Sequence, residues 1–178
     1  MTTGKRIAFL LSIVLIGMNL NAQENRFTFR PFYGGGGGTA VFDCLGGYGI
    51  GGIGEFALLL YDKGLQMGLS FMGRGDGITT VNGNNYGAGS ILGKISLGGI
   101  FPNSIFRGYS FIEGGIGFGG GNGTTAINVI FGGGGGIDLF FHQKGSIYLE
   151  LGYLQHILNN ELIGGISVSL GTRGFFKI

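Results

Sequence analysis

The feature that most restricts this chain is an alternation. Residues 146–154 set Ile147, Leu149, Leu151 and Tyr153 on one parity and Ser146, Tyr148 and Glu150 on the other. A repeat of two is the period of a β-strand, whose successive side chains point to opposite faces. Eight segments carry it: 26–33, 48–60, 65–72, 86–101, 108–119, 126–141, 146–154 and 161–176. In each, one face is apolar and free of charge. The other face gathers Arg26, Arg30, Lys94 and Arg173 with Glu55, Glu113, Asp138 and Glu150, four of each sign.

That distribution decides which side of the sheet is wet. In a water-soluble sandwich the apolar face packs inward and charges spread over the solvated face. Here the polar face is sparse and its charges balance, as a narrow enclosed space requires, because a charge out of water survives only when paired or hydrated. The apolar face suits lipid, where an exposed Lys or Arg at mid-depth would cost about 2–4 kcal/mol. No apolar run beyond residue 22 is long enough for a spanning helix, which needs ~20 residues. A chain crossing without helices must cross as a closed sheet, because every backbone amide has to be satisfied internally. The expected fold is therefore all-β, an eight-stranded antiparallel up-and-down transmembrane β-barrel. The links after the second, fourth and sixth segments are short and several of the others longer, predicting short turns at one end and longer loops at the other.

Glycine is the apparent objection. The chain has 43 glycines in 178 residues, among them the run Gly132 to Gly136 before Ile-Asp-Leu-Phe-Phe. Such runs usually mean a flexible linker. Yet the chain is 44% hydrophobic, 13% aromatic and only 11% charged, the reverse of a disordered composition. It has two prolines and no Gly-X-Y period, so collagen is excluded. Read as strand, Gly132, Gly134 and Gly136 face the interior, where a barrel this small has room only for side chains to fill it. The earlier run, Gly34 to Gly38, adjoins an expected loop.

The N-terminus reads as a secretory signal peptide over residues 1–22, with Lys5 and Arg6 ahead of an apolar core and Ala22 as its last residue. Its removal leaves 11 − 2 = 9 basic against 9 acidic residues, so nothing calls for a nucleic-acid partner. The expected barrel domain is residues 23–178. Cys44 is the single cysteine, which forbids an internal disulfide.

Several motifs have plain explanations. Gly49 to Gly54 and Gly115 to Gly120 match G-x-G-x-x-G, but no helix pattern follows either, as dinucleotide binding needs. Arg74-Gly75-Asp76 opens the expected loop after the third strand, as a polar turn or a contact for a host or surface ligand. Two separated histidines and one cysteine show no metal-ligand spacing. No cofactor is expected.

With the signal peptide, the eight alternating segments and the last strand, Leu-Ile-Gly-Gly-Ile-Ser-Val-Ser-Leu-Gly-Thr-Arg-Gly-Phe-Phe, the chain resembles the small outer-membrane β-barrels of the OmpA-transmembrane, OmpX and OmpW type. The resemblance implies a Gram-negative-type outer membrane, both termini in the periplasm, and insertion by the barrel-assembly machinery reading outward Ile166, Val168, Leu170 and Phe176. It implies outer-membrane lipid as surroundings and a structural or surface-interaction, adhesin-like role with no wide pore. Some relatives of this shape are lipid A deacylases using a histidine with a serine two residues on. Here Leu158 stands two after His156, so His156 reads as a loop histidine and no residue as catalytic. A narrow channel for small or hydrophobic solutes, a lipid A-modifying enzyme and a secreted glycine-rich β protein are the alternatives.

Overall fold

The computed structural model describes residues 30–43, 47–62, 65–80, 83–100, 105–121, 124–142, 144–158 and 161–177. The expected signal peptide, Arg26 and Cys44 lie outside the described residues. Eight strands follow in order: β1 Phe32–Asp43, β2 Tyr48–Asp62, β3 Leu65–Thr79, β4 Asn85–Ile100, β5 Phe106–Gly121, β6 Thr124–His142, β7 Gly145–Leu158 and β8 Glu161–Phe176. Each pairs antiparallel with its sequence neighbours, and β1 closes onto β8 from Phe32↔Phe176 to Asp43↔Gly165. The expected fold is the observed one.

Closure requires stagger. Paired residues followed around the wall run Tyr33, Ala57, Ser70, Lys94, Glu113, Gly132, Leu154, Gly165 and return to β1 at Asp43. The path climbs 43 − 33 = 10 residues in one circuit, the shear that goes with strongly tilted strands.

The alternation sorts side chains as expected. Ile112, Ile116, Phe118, Phe141 and Ile166 stand exposed on the wall. Phe32, Phe56 and Phe176 meet there at the end bearing the termini, their ring centroids 6.0–6.2 Å apart, as in an aromatic girdle. Every Asp, Glu, Lys and Arg within the strands whose side chain is described takes the inward parity.

Glycine occupies both faces. The run Gly132 to Gly136 is continuous strand in β6, paired on both sides with β5 and β7. It is no hinge. Outward, Gly52 and Gly54 of β2, Gly73, Gly75 and Gly77 of β3, and Gly87 and Gly89 of β4 leave a stretch of wall without side chains, continuous through the pairs Gly52↔Gly75, Gly54↔Gly73, Gly75↔Gly89 and Gly77↔Gly87.

Two expectations are corrected. The first strand is Phe32–Asp43, so Gly34 to Gly38 form strand where a loop was expected, and Arg30 precedes the sheet. The loops also differ. The intervals between strands are two to five residues at both ends, because β3 runs on to Thr79 and β7 to Leu158. At the end away from the termini, between β3 and β4, Gly83 N–H donates to Thr80 O at 2.9 Å and Gly83 takes a φ of 78°. That left-handed conformation favours glycine.

Candidate functional site: the charged lumen

The barrel interior is filled, and its centre is ionic. Arg173 of β8 reaches across to three carboxylates: Nη2 lies 2.8 Å from Glu55 Oε2 and 2.7 Å from Glu150 Oε1, and Nη1 lies 2.8 Å from Asp138 Oδ1. Lys94 Nζ is 2.5 Å from Glu150 Oε1 and 3.3 Å from Glu55 Oε1. Arg107 Nη1 is 2.9 Å from Asp138 Oδ2. Three cations thus meet three anions, all buried. Tyrosines satisfy remaining capacity. Tyr33 Oη donates to Glu55 Oε1 at 2.7 Å, Tyr109 Oη donates to Glu150 Oε1 at 2.8 Å, and Arg173 Nη1 donates to Tyr109 Oη at 2.5 Å. The Arg173 guanidinium also lies 4.0 Å from the ring centre of Tyr148, a cation–π stack out of water.

Inward glycines make this crowding possible. A Cβ on Gly136 would sit 2.5 Å from Cζ of Tyr109, and one on Gly171 would sit 2.7 Å from Cε1 of Tyr148. The two rings that embrace Arg173 occupy the volume these glycines vacate.

A second polar group lies further from the termini. Arg74 Nε is 2.6 Å from Asp76 Oδ2, Arg74 Nη2 donates to Thr39 Oγ1 at 3.2 Å, and Ser169 Oγ donates to the same oxygen at 3.2 Å. Asn128 Nδ2 donates to Ser90 Oγ at 3.3 Å, and the Asn128 amide contacts His156 Nδ1 at 3.3 Å. Among the described residues no group of three or more His, Cys, Asp or Glu side chains is placed to hold a metal.

Of the eight charges expected to line the lumen, the structure joins Glu55, Lys94, Asp138, Glu150 and Arg173 in one network. Glu113 shares their face and is the cross-strand partner of Lys94, but forms no ion pair within 4.0 Å with a described residue. Arg30 lies outside the sheet, half-buried.

Three residues were misplaced by the sequence reading. Arg74 and Asp76 are inward members of β3, buried and paired with each other, while Gly75 faces outward; the tripeptide is not on a loop. His156 is an inward, 1% exposed member of β7 and not a loop residue. Arg107 falls just outside the expected fifth strand, which starts at Gly108, two residues after β5 begins at Phe106. Its signal was its parity, shared with Tyr109 and Glu113.

No family model matches the sequence, and no curated protein matches it. Among solved structures, the chain is similar to Neisserial surface protein A (NspA), with a TM-score of 0.55 and 14% identity over 82% of this chain and 97% of that one. It has the fold of the small eight-stranded outer-membrane barrels. Ail, the attachment invasion locus protein of Yersinia pestis, aligns at a TM-score of 0.44 and 12% identity over 82% of this chain and 99% of that one.

Proposed function

We propose that the chain is an integral outer-membrane barrel with no wide pore, exported with loss of residues 1–22, both termini in the periplasm, and a structural or surface-contacting role. The observation that carries this is the filled lumen inside an apolar wall. Glu55, Lys94, Asp138, Glu150 and Arg173 occupy the space that an aqueous channel would need, and larger barrels are required to leave such a channel open. The fold shared with a protein described as a surface protein supports exposure of one end to the exterior.

Surface contact then falls to the rim opposite the termini, on short uncharged turns such as Thr79, Thr80, Asn84 and Asn85, where Thr79 Oγ1 donates to Asn85 Oδ1 at 2.8 Å. Outer-membrane lipid and the barrel-assembly machinery are the implied partners; the outward Ile166, Leu170 and Phe176 of β8 support the latter.

The test is fractionation joined to electrophysiology. The full chain is expected in the outer-membrane fraction, migrating differently on gels before and after boiling and giving no porin-like steps in planar bilayers. An epitope inserted between Thr80 and Asn84 is expected to be labelled on intact cells. Recovery in the soluble pool, or large stepwise conductance, would overturn the reading.

A further inference from the structure

The charges outside the lumen fall unevenly between the two ends of the barrel. By the strand limits, the end bearing the termini holds Arg30 before β1, Asp62 at the end of β2 with Lys63 after it, Lys144 before β7 and Lys177 after β8. That is 4 − 1 = 3 net positive charges. The far end holds Asp43 at the end of β1 and Glu161 at the start of β8, and its connecting segments contain no Lys or Arg. Residues 23–29 add Glu24 and Arg26, one of each sign.

Three of the cations form one arc. Two backbone hydrogen bonds carry the sheet past the ends of its strands. Phe175 N–H donates to Lys144 O at 2.8 Å, which ties Lys144 to β8, and Leu59 N–H donates to Pro31 O at 2.6 Å, which holds the segment before β1 against β2. Lys144 N–H also donates to His142 Nδ1 at 3.2 Å. Lys177 follows Phe176, which pairs with Phe32 of β1. Lys144, Lys177 and Arg30 therefore succeed one another across the neighbouring strands β7, β8 and β1.

None of the three forms an ion pair within 4.0 Å with a described residue. Lys144 and Lys177 are exposed and Arg30 is half-buried. Arg30 Nε is itself buried with no hydrogen bond among the described residues. A buried guanidinium N–H normally has an acceptor, and its own surroundings do not supply one. On the wall beside the arc stand the rings of Phe32, Phe56 and Phe176, on β1, β2 and β8. A row of cations bordering an aromatic wall offers a lipid phosphate and the adjoining acyl chain their two different surroundings side by side.

We propose that this arc binds an anionic phospholipid, with Arg30, Lys144 and Lys177 about the headgroup phosphate and Phe32, Phe56 and Phe176 against the acyl chains. Arginine gives phosphate paired hydrogen bonds, and lysine meets it as a point charge. A water-soluble phosphate uses the cations alone; the rings single out the lipid. The far rim, with its two carboxylates, offers the same headgroups nothing, so the preference belongs to one leaflet. The proposal rests on the reading of the chain as a membrane barrel with both termini on one side, and adds to it the class of lipid and the end that selects it.

The test uses the full chain folded in phosphatidylcholine vesicles with a trace of spin-labelled lipid, and heat-modifiable migration as the check on folding. Failure to insert or to shift on boiling sinks the barrel reading; the outcomes below are scored on inserted protein and concern the lipid site alone. Spin-labelled phosphatidylglycerol is expected to associate with the unmodified chain about fivefold more strongly than spin-labelled phosphatidylcholine at low salt. The preference should vanish at about 1 M salt, where charges are screened within about 3 Å. The variant combining Arg30→Gln, Lys144→Gln and Lys177→Gln should show no preference at low salt, whereas Thr80→Gln at the far rim should keep it in full. Should the triple variant not fold, the single variants take its place, each expected to weaken the preference. Glycerol phosphate in excess should leave the labelled phosphatidylglycerol in place.

Equal association of the two lipids with the unmodified chain, or a preference that survives high salt or the loss of the cations, overturns the inference. Displacement by glycerol phosphate would make the arc a site for free phosphate and end the assignment to lipid.

Discussion

The glycines of β6 and those of β3 and β4 look alike in the sequence and do different things in the barrel. Gly134 and Gly136 point inward. A methyl at Gly134 would run into the carbonyl oxygen of Leu151, and one at Gly136 into the ring of Tyr109. Gly73, Gly75, Gly87 and Gly89 point outward, and a Cβ built on any of them meets nothing within 4 Å. The first kind is required by close approach, since the lumen must seat Arg173, Tyr109 and Tyr148. The second leaves a bare wall whose glycines are not required by any contact. Glycine content therefore reports two unrelated pressures, and only the register tells them apart.

Substitutions test this contrast, with urea midpoints of the heat-modifiable band in lipid as the common measure. The largest effect is expected where the inward glycines have made room. Arg173→Met strips three buried carboxylates of their shared cation, and the loss should be about 3–5 kcal/mol. Next comes Gly134→Ala, whose methyl meets backbone that cannot turn aside; about 2–3 kcal/mol is expected, the upper range for overpacking. Gly136→Ala should cost about 1–2 kcal/mol, because the obstacle there is a side chain. Tyr109→Leu in the same chain should make the glycine substitution less costly than it is alone, since the two sites touch. A strictly additive double variant would mean that the ring does not define that glycine. Smallest is Gly75→Ala or Gly89→Ala. Each should be neutral or stabilising by up to about 1 kcal/mol, through the strand penalty of glycine alone. If Gly75→Ala proves as damaging as Gly136→Ala, the two classes are one.

The central part of the fold was legible, and its edges were not. The inward and outward sets of β4, β6 and β8 follow directly from alternation, because Ile91, Ile95 and Leu97, or Ile127, Val129 and Phe131, mark the outer parity. β3 shows where this stops working. After Phe71 its outward positions are Gly73, Gly75 and Gly77, so one half of the alternating signal has no side chain to carry it. The strand then reads as a loop, and Arg74 and Asp76 are lost from the lumen with it. β1 fails for the same reason through Gly34, Gly36 and Gly38. His156 was missed by two residues at the end of β7, although its parity with Glu150 and Leu154 was visible. Among the site residues, the members of the ionic network other than Arg107 could be named from parity, whereas their pairing could not. Which carboxylate meets which cation depends on the stagger of ten, a property of closure that no single segment contains.

The bare stretch across β2, β3 and β4 has a geometric consequence. In the half of the barrel away from the termini, that flank of the wall is thinner than the rest. In the membrane setting proposed above, acyl chains over that stretch would lie against the main chain itself, whereas over β5 and β6 they would be held off by Ile116, Phe118, Ile127 and Phe131. An annulus of lipid would then be indented on one side, and rotation of the barrel about the membrane normal would change which neighbours feel the hollow.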